Sequence, residues 1–210
     1  MSKKYTRNIS RRIRRFWRKR RVLIVSVVAI SIFSIGTLME RNTMDANYTD
    51  LLNTIAEGES KGNYNAYFGN AGNTTVNFTA MSVGEVLEWQ KRFVEQGNPS
   101  NAVGKYQFIR PTLAGLVNEL NIDESTQFNS SLQDRLAIRL LERRGVQDYL
   151  RGRITREQLA HNLSKEWAAL PRVIGGDPGS SYYAGDGLNR SHISIAQVLT
   201  AINNLKSSDA

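Results

Sequence analysis

Residues 51–60 read Leu-Leu-Asn-Thr-Ile-Ala-Glu-Gly-Glu-Ser, and the way this stretch sorts polar from apolar positions sets the architecture of the chain. Leu52, Ile55 and Ala56 follow the i, i+3, i+4 spacing of one helix face, while Asp50, Asn53, Thr54 and Glu57 share the opposite face. This predicts a helix over about 46–60 that stops near Gly62. Glu59 continues the apolar series at i+7, so its carboxyl points away from solvent. It also lies in the last turn, where the carbonyl end of the helix disfavours an anion, and both effects raise a carboxyl pKa. A carboxyl still protonated near neutral pH is what a general acid requires, which makes Glu59 the candidate catalytic residue. The competing reading is a frayed helix end that leaves Glu59 solvated.

Downstream of this stretch the pattern stays helical. A second helix opens with the capping-box sequence Ser82, Val83, Gly84, Glu85 and ends at Gly97, Asn98, Pro99. A third follows Pro111, with Leu113, Leu116, Val117 and Leu120 on one face. A fourth is predicted to start at a box formed by Ser131 and Asp134, and it carries Leu132, Leu136, Leu140 and Leu141 to Gly145. A turn around Tyr149 precedes a fifth, capped by Thr155 and Gln158, whose stripe of Leu159, Leu163 and Trp167 reads as core. The last helix spans about 194–205. Only residues 63–80, rich in Asn and broken by Gly69 and Gly72, read as non-helical, and Val76 and Phe78 suggest a short strand or hairpin there. The fold class is therefore mainly α, with one small β or irregular insertion.

Upstream the composition changes. The chain has 210 residues, with 28 Lys and Arg against 19 Asp and Glu. Residues 1–21 hold eleven of the basic side chains and no acid, which leaves the remainder slightly acidic. The high pI is thus a property of a short leader and no argument for nucleic-acid binding. Val22 to Met39 follows without a charge and, at about 1.5 Å per helical residue, is close to the thickness of a hydrocarbon core. Basic residues precede it and a balanced Glu40 and Arg41 follow. This predicts a single-pass signal-anchor in the lipid bilayer, with the N-terminus cytoplasmic and the body exported; a cleaved signal peptide is the competing reading. The expected organisation is a basic cytoplasmic leader over 1–21, a transmembrane segment over 22–39 and one domain over 40–210. With no Cys and two His, thiol chemistry, disulfides, Cys-ligated zinc and a three-His metal site are excluded, and neither a metal nor a cofactor is expected. His161 falls on the polar side of its helix and His192 just before the last one, which argues against a Ser-His-Asp site.

Four segments, in order, resemble a known family. Thr54 to Ser60 (TIAEGES) is similar to the helix end that carries the catalytic Glu of the lambda-type endolysins, and that Glu falls on Glu59. Asn101 to Ile109 (NAVGKYQFI) resembles the family's Gly-Arg-Tyr-Gln segment. Leu132 to Leu150 resembles its Gln-Asp helix ending in Arg-Gly, and Asn162 to Pro171 (NLSKEWAALP) its Asn-x-x-x-x-Trp-Ala-x-Leu-Pro motif. The resemblance spans roughly residues 51–172 and implies a lysozyme-like fold and a lytic transglycosylase acting on peptidoglycan. It places Tyr106 and Gln107 beside the substrate, with a core Tyr and a helix-capping Gln as the competing reading, and Ser60 is a further candidate contact. Tyr182 and Tyr183, in a Gly-rich tail similar to that of phage-derived relatives, are candidates to cover one end of the groove. Residues 63–100 have no convincing counterpart.

Glycosidases that hydrolyse use a second carboxylate about 5–9.5 Å from the acid. From Ser60 to Gly84 there is no Asp or Glu. A transglycosylase needs no such partner, because the C6 hydroxyl of the sugar attacks C1 within the same molecule. The chain therefore reads as a membrane-anchored lytic transglycosylase. A muramidase drawing on Asp134, or a non-catalytic wall-binding or scaffold protein, are the alternatives. Asp134 itself reads first as a helix-end acid.

Overall fold

The computed structural model describes residues 47–205. The leader 1–21 and the candidate membrane segment 22–39 lie outside the described residues; among the described residues no helix is long and apolar enough to cross a membrane. Seven α-helices follow one another among these residues: α1 (Thr49–Ser60), α2 (Val83–Glu95), α3 (Arg110–Glu119), α4 (Ser130–Arg143), α5 (Val146–Leu150), α6 (Arg156–Ser164) and α7 (Ile195–Asn203). Helix α1 packs on α4 and α7, α6 packs on α5 and α7, and α2 pairs with α3. The face of α1 expected to be apolar is the one buried, through Leu51, Leu52, Ile55 and Ala56. Each Leu or Ile among them, fully buried, contributes about 1.5–3 kcal/mol. The helix stops on Lys61, which takes a left-handed conformation (φ 54°), and the Gly62 N–H closes back on the Ala56 carbonyl.

The helix starts are set by side chains that accept orphan backbone N–H groups. Full capping boxes stand at Ser82 with Glu85, Thr155 with Gln158, and Ser194 with Gln197. The box expected at Ser131 and Asp134 is absent. Helix α4 is capped instead by Asn129, whose side chain accepts from the Leu132 N–H, and the Asp134 carboxylate is taken by tertiary partners. The stripe of Leu159, Leu163 and Trp167 is buried, in keeping with its spacing.

Residues 63–80 contain no strand. The segment makes only an isolated bridge between Tyr67 and Asn70 within itself, and Phe78–Ala80 is a turn of 3-10 helix. Asparagine amides replace the ladder that a hairpin would supply. Asn73 is buried and donates to the carbonyls of Asn65 and Val76, while its Oδ1 accepts from the backbone N–H groups of Thr75 and Val76. Asn63 donates to the carbonyls of Ala71 and Asn73, and Asn65 accepts from the Thr79 N–H. Such side-chain bonds compete with regular structure and hold the loop in an irregular path. Phe78, expected in a strand, is instead a core residue set edge-on against Trp89, which stacks on Phe93 at 4.5 Å. Among the described residues the fold is thus mainly α without an extended strand.

Gly58 permits the closest packing in the molecule that bears on Glu59. A Cβ at this position would stand 2.8 Å from Ala169 Cβ and 2.9 Å from Ile193 Cγ1. Alanine is the better helix former by about 1 kcal/mol, whereas overpacking of this kind costs about 1–3 kcal/mol and two separate elements would have to move. Gly58→Ala is therefore expected to lower the melting temperature by a few degrees, despite its better propensity, as read by circular dichroism or calorimetry.

Candidate active site

Glu59 sits in the last turn of α1, half-buried, with its Oε1 accepting the backbone N–H of Ala169 at 2.9 Å. Ala169 is itself pinned, because its carbonyl accepts from the N–H groups of His192 and Ile193. Burial pushes the Glu59 carboxyl up to about 7, and the single hydrogen bond from Ala169 only partly opposes this. No cation pairs with it among the described residues.

The carboxyl opens into a cleft of about 410 Å³, within the size range of small-molecule sites. One wall is the turn 100–109. Here Val103 and Phe108 bond reciprocally through their backbones, and Gly104 and Gln107 take positive φ to close the reversal between them. This turn is held by two fully buried glutamines. Gln90 of α2 donates to the carbonyls of Asn101 and Phe108; Gln133 of α4 accepts from the Lys105 N–H and donates to the carbonyls of Tyr64 and Phe128. The opposite wall runs from Lys165 to Ala168 and includes Glu166, with Tyr183 at the rim.

The residues expected near substrate fall into two groups. Gln107, Tyr183 and Glu59 line the cleft. Ser60 is buried, and its hydroxyl donates to the Lys105 carbonyl at 2.7 Å, so it ties the end of α1 to the 100–109 turn. Tyr106 also lines the cleft, 1% exposed, while its hydroxyl donates to Asp134 at 2.6 Å. Tyr182 is exposed beside the cleft, edge-on to Tyr183 and to His161.

Asp134 is the hub of a polar cluster outside the cleft lining. It accepts from the hydroxyls of Tyr64 and Tyr106, and Lys105 Nζ stands 3.8 Å away, over both rings. Burial first, and then the Asp134 carboxylate, raises the pKa of both phenols well above the ordinary value.

Sequence reasoning missed the second carboxylate of the cleft. Glu166 accepts from Arg144, from Nε at 2.8 Å and from Nη2 at 2.7 Å, and Arg144 Nη2 also donates to the Lys165 carbonyl. No local pattern joins a residue at the end of α4 to one just beyond α6; the available signal was the charge of Glu166 next to the buried Trp167.

The family model described as Endolysin matches residues 49–189, well over half of the chain and the whole of this cleft. The chain belongs to the endolysin family. No curated protein and no solved structure matches it. Endolysins are phage enzymes that degrade peptidoglycan in lysis, so the bacterial wall polymer is the substrate of this endolysin.

The raised carboxyl of Glu59 has a consequence for stability. Between about pH 4.5 and 7 the folded protein holds a proton that the unfolded chain has released, so this group weakens the fold progressively as pH rises through that window. Glu59→Gln keeps an oxygen for the Ala169 N–H and removes the buried charge. The variant is expected to match the parent in stability near pH 4 and to exceed it by about 1–3 kcal/mol at pH 8, measured by urea unfolding at the two pH values.

Proposed function

We propose that this endolysin is a lytic transglycosylase that cleaves the bond between N-acetylmuramic acid and N-acetylglucosamine with Glu59 as its acid and then its base. The observation that carries the reading is the division of labour among the carboxylates. Glu59 is the unpaired one in the cleft, with a pKa of about 7, whereas Glu166 is held by Arg144 and Asp134 by two phenols and Lys105. In the first step Glu59 donates its proton to the glycosidic oxygen as the C1–O bond breaks. The C6 hydroxyl of the same muramic acid then bonds to C1 and gives its proton to the Glu59 carboxylate. The products are a free 4-hydroxyl on one fragment and a 1,6-anhydro end on the other, and the enzyme returns to its protonated state without water.

A muramidase is the second reading, and the presence of Glu166 in the cleft favours it. For that chemistry Glu166 would have to leave Arg144 to activate water or attack C1.

Two further parts belong to this reading. Residues 22–39 supply a signal-anchor that keeps 1–21 in the cytoplasm and the catalytic domain on the wall side of the membrane, on the strength of the uncharged run and its uneven flanks. Gln107 and Tyr183 bind the glycan from the two cleft walls.

Mass spectrometry of muropeptides released from purified peptidoglycan tests the chemistry. Anhydro-muramic ends are expected from the parent and a loss of at least about a hundredfold in rate from Glu59→Gln. Reducing ends that vanish in Glu166→Gln would select hydrolysis. Because the acid must start protonated, kcat/KM is expected to fall as pH rises through about 7. The full-length protein is expected to stay with membranes through an alkaline carbonate wash, and its release into the supernatant would overturn the anchor.

A further inference from the structure

The rim of the cleft beyond Glu166 gathers positive charge that glycan cleavage does not use. His161 and Lys165 stand one turn apart, in α6 and at its C-terminal cap, and both meet the ring of Tyr182. The imidazole lies edge-on at 6.1 Å and Lys165 Nζ at 5.8 Å from the ring centre. Tyr182 meets Tyr183 at 5.4 Å, and the Tyr183 hydroxyl donates to the Lys165 carbonyl at 2.7 Å. Since Lys165 and Tyr183 line the cleft, this patch is continuous with it. Arg172 joins from the segment after Pro171. Its Nη2 donates to Ser180 Oγ at 3.0 Å, and an exposed Asp177 stands 3.8 Å away.

The patch is under-neutralised. Glu166, the nearest carboxylate in the chain sequence, is committed to Arg144, and among the described residues Lys165 has no carboxylate within ion-pair distance. Burial, and then the charges of Lys165 and Arg172, hold His161 below its ordinary pKa, so Lys165 and Arg172 carry the charge at neutral pH. Two nitrogens here are also orphaned. His161 Nδ1 and Arg172 Nε are buried without a hydrogen-bond partner, a condition that native structures rarely leave unanswered. Cations, an unsatisfied guanidinium N–H and aromatic rings at the end of a glycan cleft match a carboxylate carried on an extended, partly apolar chain.

We propose that His161, Lys165 and Arg172, flanked by Tyr182 and Tyr183, form a subsite for a free carboxylate of the peptide branches that peptidoglycan carries on its muramic acids. The proposal rests on the cleft being the glycan-cleaving site. It makes the enzyme a reader of branch charge as well as of sugar.

The test uses the full chain and two substrates: purified peptidoglycan, and the same material with its peptide carboxylates converted to amides. Every protein compared carries the same basic leader, so its contribution cancels when the preference of a variant is divided by that of the parent. The parent is expected to release muropeptides about tenfold faster from the charged substrate at sub-saturating concentration, the scale of one charge-assisted hydrogen bond. Lys165→Gln and Arg172→Gln should each reduce that preference to about twofold or less, whereas Lys165→Arg retains it. Equal rates on both substrates for the parent, or a preference that survives both Gln variants, would overturn the subsite. Co-sedimentation of the same proteins with the same substrates reads the difference without turnover. If no glycan is cut at all, the cleavage reading fails, while charge-dependent binding lost in the variants still supports the subsite and its absence rejects it.

Discussion

The hydrogen bond from the Ala169 N–H to the Glu59 carboxyl is the contact on which the site depends. It joins the first helix of the domain to a segment more than a hundred residues away and fixes a carboxyl where water cannot fully solvate it. The approach is possible because Gly58, one residue earlier, has no side chain to hold Ala169 and Ile193 off. A single neutral N–H is a weak match for a carboxylate. It orients the group without providing the several donors or the cation that would keep it ionised, and so the proton stays near neutral pH.

Around that contact the domain is organised by polar side chains that do the work of missing strands. Gln90 and Gln133, both fully buried, staple the 100–109 turn to α2 and α4, and Asn73 and Asn63 bind the 63–80 loop onto itself. Each of these amides saturates backbone groups that an irregular path would otherwise leave buried and unpaired. The Asp134 cluster belongs to the same scheme. Through Tyr106 and Lys105 it reaches the turn that Ser60 also grips, so α1, α4 and the cleft wall are tied to one another.

The electrostatics of the cleft follow from pairing. Two carboxylates face it, and only one has a cation. Arg144 neutralises Glu166 and anchors the Lys165 carbonyl, which leaves Glu59 as the carboxyl without a cation and Lys165 among the residues that line the cleft. Arg139 and Arg143 bind Glu119 on the outer surface, where solvent screens such pairs and they add little.

The sequence by itself determined whatever depends on local periodicity and capping. The buried face of α1, the boxes at Ser82 and Thr155, the Leu159 to Trp167 stripe and the placement of Glu59 in a last turn all follow from neighbours within four residues, and the four ordered segments pointed to the family. The tertiary structure decided what long-range partners control. Val76 and Phe78 alternate like a strand, yet Asn73 satisfies the backbone first and Phe78 has Trp89 to pack against. Ser131 and Asp134 are spaced like a box, yet two phenols outbid the helix end for the Asp134 carboxylate, and Asn129 caps in its place. Ser60 has the chemistry of a substrate contact, but its hydroxyl is consumed within the fold, and Tyr106 lines the cleft with its hydroxyl given to Asp134. The Glu166–Arg144 pair had no sequence signature, because ion pairing depends on distance in space, and only folding brings the ends of two separate helices within 3 Å of each other.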